Sequence, residues 1–283
     1  MGVQLFDRIA EITIYPKNGG NAVIITSLAM KFQVSKKKSS DSNTASATIY
    51  NLSKNTIEQI GDTDVRMQIR AGYNNSTGLE LLFTGDISEI THSYSGSSVE
   101  TVIKTKDGGV ALRDSKINKS YSAGAGVKQM IKDAVKSMGL PVKIPIDKIP
   151  IPDIKISNSQ VASGSTKSFL DNLVPQTGFE WVVNNGIIEL VKKDSSDDNT
   201  VVVLSSSSGM IGSPKKISIK TDGNSKNGWE VKSLLQPNIL PLGIIEIRSN
   251  VIPNNAQYKV IEVEHSCDTE SGDWFSNIKV INL

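Results

Sequence analysis

Strict alternation of apolar and polar residues runs through the first hundred positions, and it commits this part of the chain to half-buried strands. Over residues 29–35, Met30, Phe32 and Val34 alternate with Lys31, Gln33 and Ser35. Val65, Met67, Ile69 and Ala71 do the same against Arg66, Gln68 and Arg70. A period of two sends successive side chains to opposite faces, so one face is buried and the other wet. Residues 9–15, 44–50, 81–91 and 99–105 read as further strands, with Gly85 a bulge. Residues 56–60 form a short helix closed by Gly61. An open sheet of so many strands would expose its edges, which predicts closure into a barrel or sandwich.

From about Asp107 the period changes. Val127, Ile131, Ala134, Val135 and Met138 fall at helical spacing, and Gly139 followed by Pro141 ends that helix. The Pro-rich stretch 141–152 reads as an extended crossing. A second helix, 165–177, has Ser165 as N-cap, an apolar face of Phe169, Leu170, Leu173 and Val174, and Gly178 as its stop. Residues 179–183 and 187–192 flank Asn184-Asn185-Gly186, a hairpin signal because Asn-Gly accepts positive φ. The polar run 194–199 bounds this unit. Beyond it residues 201–204, 213–219, 229–234, 243–249, 258–265 and 275–281 return to strand patterning. The expected fold is mainly β with an α/β insert, divided at 1–107, 108–198 and 199–283.

Composition narrows the function classes. With 31 Lys+Arg against 29 Asp+Glu, the net charge of +2 is too small for a dedicated nucleic-acid binder. A hydrophobic share of 38% belongs to a globular chain. Cys267 is the single cysteine, which excludes a disulfide framework and a thiolate zinc site within one chain. No apolar stretch approaches the ~18 residues that span a bilayer, and Met1–Phe6 lacks a signal-peptide pattern. These features predict a soluble protein made in a cytoplasm, with no stable membrane binding.

Catalytic and cofactor patterns are incomplete. Gly124-Ala125-Gly126 precedes a helix but has Gln129 where a dinucleotide loop needs its third glycine, and Gly164–Ser168 lacks the leading glycine of a phosphate loop. His92 and His265 each stand alone at a strand end, Cys267 adjoins a loop, and the carboxylates are scattered. The chain is expected to be no enzyme, with no cofactor and no metal site. Lys36-Lys37-Lys38, followed by residues 39–43, joins two strands. It is either a solvated hairpin tip or a charged arm that contacts a neighbouring subunit.

Three stretches in order resemble the baseplate hub proteins of contractile-tailed bacteriophages. The first is Ala47-Thr48-Ile49-Tyr50-Asn51-Leu52-Ser53, then Ile69-Arg70-Ala71-Gly72-Tyr73, then Leu82-Phe83-Thr84-Gly85-Asp86-Ile87. The second is the helix from Ser165 with Gly178-Phe179-Glu180-Trp181 and the Asn-Gly hairpin. The third runs from Val231-Lys232-Ser233-Leu234-Leu235-Gln236-Pro237-Asn238-Ile239 through Tyr258-Lys259-Val260 and His265-Ser266 to Asp268–Trp274. The resemblance implies two tail-tube-like β-barrels flanking a small α/β module, in a virion structural protein of the tail baseplate. It implies a homotrimer whose six similar units stack on a hexameric tail tube. The implied partners are the tail tube protein, the central spike protein, the baseplate wedge proteins and double-stranded DNA in transient passage. The barrels should line the channel, leaving Lys128, Lys132, Lys136, Lys167 and Asp171 of the helices to face water or a peripheral partner. A tail-associated module that binds cell-wall carbohydrate is the alternative, and it would need aromatic residues grouped on an exposed face. A tail hydrolase is the third reading, and it lacks a carboxylate or metal signature.

Overall fold

The computed structural model describes residues 5–16, 21–39, 41–61, 63–96, 98–193, 201–221, 224–252 and 256–282. The chain divides into two compact units, one of Met1–Lys38, Asn43–Lys106 and Ser196–Leu283, the other of Ser39–Ser42 and Asp107–Ser195. Strand takes 53% and helix 17% of the described residues, so the fold is mainly β. The 194–199 run lies outside the described residues.

The first unit opens with β1 (Arg8–Tyr15), β2 (Val23–Ile25), β3 (Met30–Lys37) and β4 (Thr44–Tyr50). Helix α1 (Lys54–Ile60) starts where the Ser53 hydroxyl accepts from the Thr56 N–H, and Gly61 closes it at φ 51°. Strands β5 (Arg66–Tyr73), β6 (Gly78–Ser95) and β7 (Ser98–Lys106) complete this half. In β3, Met30, Phe32 and Val34 are buried while Lys31 and Gln33 are exposed, as the alternation requires. Gly85 is not the bulge. The register shifts fall on either side of it, opposite Ile69/Arg70 and between Ile87 and Glu89. Gly85 is needed instead for close approach, since a Cβ there would lie 2.7 Å from the Lys106 carbonyl oxygen.

The second unit contains α2 (Gly109–Asp114), β8 (Lys116–Tyr121), α3 (Val127–Met138), β9 (Gln160–Ser165), α4 (Thr166–Leu173), β10 (Phe179–Asn184) and β11 (Ile187–Lys192). The 141–152 crossing is interrupted by a 3-10 turn at Ile146–Lys148. The helix expected over 165–177 gives way to a 3-10 turn at Val174–Thr177, where Pro175 removes a backbone donor. β8 pairs with β9 and β10 with β11, each as a two-stranded sheet. One core of Ile131, Ala134, Leu170, Trp181 and their neighbours serves this unit.

The chain then returns to the first unit with β12 (Val202–Leu204), β13 (Met210–Thr221), β14 (Asn224–Leu234), β15 (Ile244–Ile247), β16 (Ala256–Asp268) and β17 (Trp274–Asn282). The two β regions do not close separately. They form one 13-stranded sheet in the order β13-β14-β17-β16-β3-β4-β7-β6-β5-β1-β2, with β15 on β16 and β12 on β15. The expected barrels are therefore not closed within the described residues. The seam is the antiparallel pairing of β16 with β3, from Glu262↔Lys37 to Asp268↔Lys31. Two cores back the sheet, one around Phe32, Ile69, Phe83 and Trp274, the other around Val231, Val263, Ile278 and Val280. Phe32 and Trp274 meet edge to face at 5.9 Å between ring centroids, so the N-terminal core reaches across the seam.

Candidate assembly surface

The lysine run lies largely within β3 rather than at a hairpin tip. Lys36 is fully buried. Lys37 is exposed and pairs with Glu262 at 3.1 Å, and its backbone N–H donates to Asn43 Oδ1. The Lys38 N–H donates to the Ile261 carbonyl, which extends the seam by one residue. Period two separates the three, because Lys36 shares a face with Val34 and Lys37 does not. Of the three, Lys37 is exposed and Lys38 half-buried.

The residues screened for chemistry have structural surroundings. His265 is buried in β16, with Nδ1 2.8 Å from Ser276 Oγ, and Nε2 has no hydrogen-bond partner. Burial pushes its pKa down to about 3, and the charge of Lys36 adds to the shift. His92 is exposed, its Nδ1 3.0 Å from Thr101 Oγ1. Burial pushes the Cys267 thiol well up, away from the thiolate form. Among the described residues no group of three His, Cys, Asp or Glu side chains is placed to hold a metal ion. No helix there is long and apolar enough to cross a membrane.

The helix residues expected to face water or a partner are mostly tied within their own unit. Lys128 Nζ donates to the carbonyls of Asp147 and Ile149, and Lys132 pairs with Asp147. Lys167 pairs with Asp171 and with Asp41, while Asp171 also accepts from Trp181 Nε1. Asp107, which carried no signal in the sequence, is buried, and its carboxylate accepts from the N–H groups of Asn185 and Gly186 at 2.6 Å each. Both turn residues have positive φ, 53° and 77°, and Asp107 thus holds the hairpin turn.

What the fold leaves open is sheet edge. β6 pairs with β5 only as far as Asp86↔Arg66, so Ser88–Ser95 has no strand on that side among the described residues. This stretch, Ser-Glu-Ile-Thr-His-Ser-Tyr-Ser, contains no proline and one charge, and its Tyr94 is 86% exposed. At the far end β13 pairs only with β14. Natural edges are usually blunted by charge or proline. β13 has Pro214, Lys215 and Lys216, whereas the free part of β6 has almost nothing of the kind.

The strand order is also palindromic about the seam. The N-terminal side runs β3-β4-β7-β6, and the C-terminal side runs β16-β17-β14-β13. On each side a hairpin at the seam is followed by a second hairpin, joined through its later strand.

Comparisons with known proteins agree with this architecture. A family model described as Baseplate hub gp41 matches residues 9–279. A comparison with curated sequences found no match. A 43 kDa tail protein of prophage MuSo2 from Shewanella oneidensis superposes with a TM-score of 0.67 at 10% identity, over 98% of each chain. A tail protein from Neisseria meningitidis MC58 gives 0.63 at 10%, over 98% of this chain and 97% of that one. A type VI secretion component of E. coli, described as structurally similar to the T4 tail proteins gp27 and gp5, gives 0.62 at 11%, over 90% and 73%. At such identities the likeness is one of fold.

Proposed function

The chain belongs to the baseplate hub gp41 family, and from that premise we propose that three copies close into a ring joining a hexameric tail tube to a trimeric spike. The palindromic strand order is the observation that carries this reading. Each copy holds two four-strand units of the same pairing scheme, so a threefold ring presents six. Such a ring matches a sixfold partner on one side and a threefold partner on the other.

The open sheet favours closure between copies rather than within one. The free edge of β6 can pair with β13 of the next copy, a heterologous contact that repeats until the ring closes. Glu89 on one edge and Lys215 and Lys216 on the other have the right signs for that pairing. In the ring each four-strand unit plays the part of one tube-like barrel wall, and Lys37 and Lys38 contact an adjacent subunit or tube ring. The work is mechanical and non-enzymatic: adapt symmetry, seal the tube, and open for DNA when the spike leaves. Its place is the virion baseplate, with tube, spike and wedge proteins as neighbours.

The carbohydrate-binding alternative gains no support from the tryptophans. Trp181 and Trp274 are buried and Trp229 packs on the C-terminal core, so they form no exposed platform. Native mass spectrometry of the purified chain, alone and with the tail tube protein, tests the ring. A species of three times 30.5 kDa is expected. Monomer at every concentration, even with tube protein present, would sink the proposal.

A further inference from the structure

The turn between β10 and β11 uses a residue pair that suits the backbone and invites a side reaction. A two-residue hairpin turn with positive φ at both positions favours Asn-Gly, and Asn185 and Gly186 adopt φ 53° and 77°. In Asn-Gly the backbone nitrogen after the asparagine also attacks the side-chain amide readily, because glycine puts no side chain in the way. The Gly186 nitrogen, once it loses its proton, would bond to Cγ of Asn185. The bond from Cγ to the side-chain nitrogen would break, and that nitrogen would leave as ammonia, taking up the proton lost by Gly186. Water then opens the cyclic imide at either carbonyl and leaves aspartate or isoaspartate at position 185. Nothing is oxidised or reduced. Both residues are half-buried, so water reaches the turn.

Asp107 opposes ring closure in two ways. It is fully buried, its Oδ1 accepts from the Gly186 N–H, and its Oδ2 accepts from the Asn185 N–H, both at 2.6 Å. Attack needs the Gly186 nitrogen as an anion, and a carboxylate in contact disfavours a second negative charge. A carboxylate is far too weak a base to make that anion itself. The two bonds also fix the N–H groups on either side of the Asn185 Cα. The rotation that brings the Gly186 nitrogen onto Cγ must therefore break a charge-assisted bond. A second Asn-Gly pair, Asn227-Gly228, lies within β14, where strand pairing to Ile217 and Ile281 fixes the glycine instead. We propose that Asn185-Gly186 is a latent deamidation site, and that Asp107 is the positioning residue that keeps it closed. Isoaspartate there would insert a methylene into the backbone of the hairpin, whose register sets Trp181 opposite Leu190 in the core of the second unit. This inference is independent of the ring reading.

The test follows conversion at Asn185 by peptide mapping and mass spectrometry. Full-length protein is incubated at mildly alkaline pH, below its melting temperature, beside the same protein unfolded in urea. Folded wild type should convert at least about a hundredfold more slowly than the unfolded chain. Asp107→Ser should convert at least about tenfold faster than folded wild type. Conversion through unfolding alone equals the unfolded rate times the unfolded fraction, which urea titration gives. Asp107→Ser should exceed that product. Leu170→Ala, which weakens the same core without touching the turn, should not. Asp107→Asn keeps one acceptor oxygen but lacks the charge. It should also convert faster than wild type, and it serves if the serine variant does not fold. Wild type converting at the unfolded rate, unchanged conversion in the Asp107 variants, or an equal gain in Leu170→Ala would overturn the proposal.

Discussion

His265 shows what burial does to a single titratable group in this sheet. Its ring is held neutral among β16, β17 and the buried Lys36, and Nε2–H would find no acceptor if the ring were charged. The folded-state pKa of about 3 lies below the ordinary 6.5, so the unfolded chain binds the proton first as pH falls. Stability is therefore fully present above pH 6.5 and declines between 6.5 and 3. Between about pH 7 and about pH 4.5, His265 should cost on the order of 2–3 kcal/mol of stability. Urea titrations at pH 7.0, 5.5 and 4.5 measure this directly. His265→Leu should flatten the dependence, and an unchanged slope in that variant would assign the acid sensitivity elsewhere. Asp107 makes the second prediction at this scale. Removing a buried carboxylate that accepts two backbone N–H groups leaves both donors unpaired, so Asp107→Ala should destabilise by about 2–4 kcal/mol in urea. Asp107→Asn, which keeps one acceptor oxygen, should cost less.

Among the elements, β6 separates fold from assembly. Its first half lies between β5 and β7 and belongs to the core, while Ser88–Ser95 has β7 on one side only. Thr91→Lys/Ser93→Lys places charge on exposed positions of that edge, where surface substitutions usually change stability by less than about 0.5 kcal/mol. The ring should be lost in native mass spectra while the melting temperature stays put. A ring that survives would mean that copies meet through another surface. Lys37→Ser/Lys38→Ser should act more mildly, weakening assembly at physiological salt. Glu262 keeps Lys279 in that variant, and exposed pairs are worth only about 0–1 kcal/mol. How much of this was legible in the sequence follows the range of the interactions. β3, β5, α3 and the Asn185-Gly186 turn were readable because alternation, helical spacing and turn chemistry are local. β9, Gln160–Ser165, has a single buried residue, Ala162, and so no period to detect. The β3–β16 seam joins residues more than two hundred positions apart, and no local pattern encodes that register. Lys36 misled for the same reason: in a lysine run it reads as solvent, whereas in β3, opposite Val263 of β16, it is fully buried. The free edges were not readable, because they exist only once the strands are in register.

At the scale of the molecule, the large sheet takes all its strands from the first unit, and both small sheets lie in the second. The second unit has a core of its own, built from α3, α4, β10 and β11 and including Met130, Ile131, Leu170, Trp181 and Leu190. Its polar anchors are mostly internal as well: Asp107 on the hairpin turn, Asp171 on Trp181, and Asp133 on Lys119 and Tyr121. Asp41 on Lys167 comes from outside 107–193, and at 84% exposure of the Asp41 side chain it contributes little. A segment that satisfies its own apolar and polar groups can fold alone, provided it buries enough surface, and chains of this size do. Residues 107–193, expressed by themselves, should therefore unfold in one cooperative step. The full chain should show two transitions, because single-step unfolding is a property of single cooperative units. Far-UV circular dichroism and calorimetry on both proteins make the comparison. A fragment without a cooperative melt, beside a full chain that unfolds in a single transition, would show that the second unit depends on the sheet for its order. In that case substitutions in its core would also lower the stability of the seam.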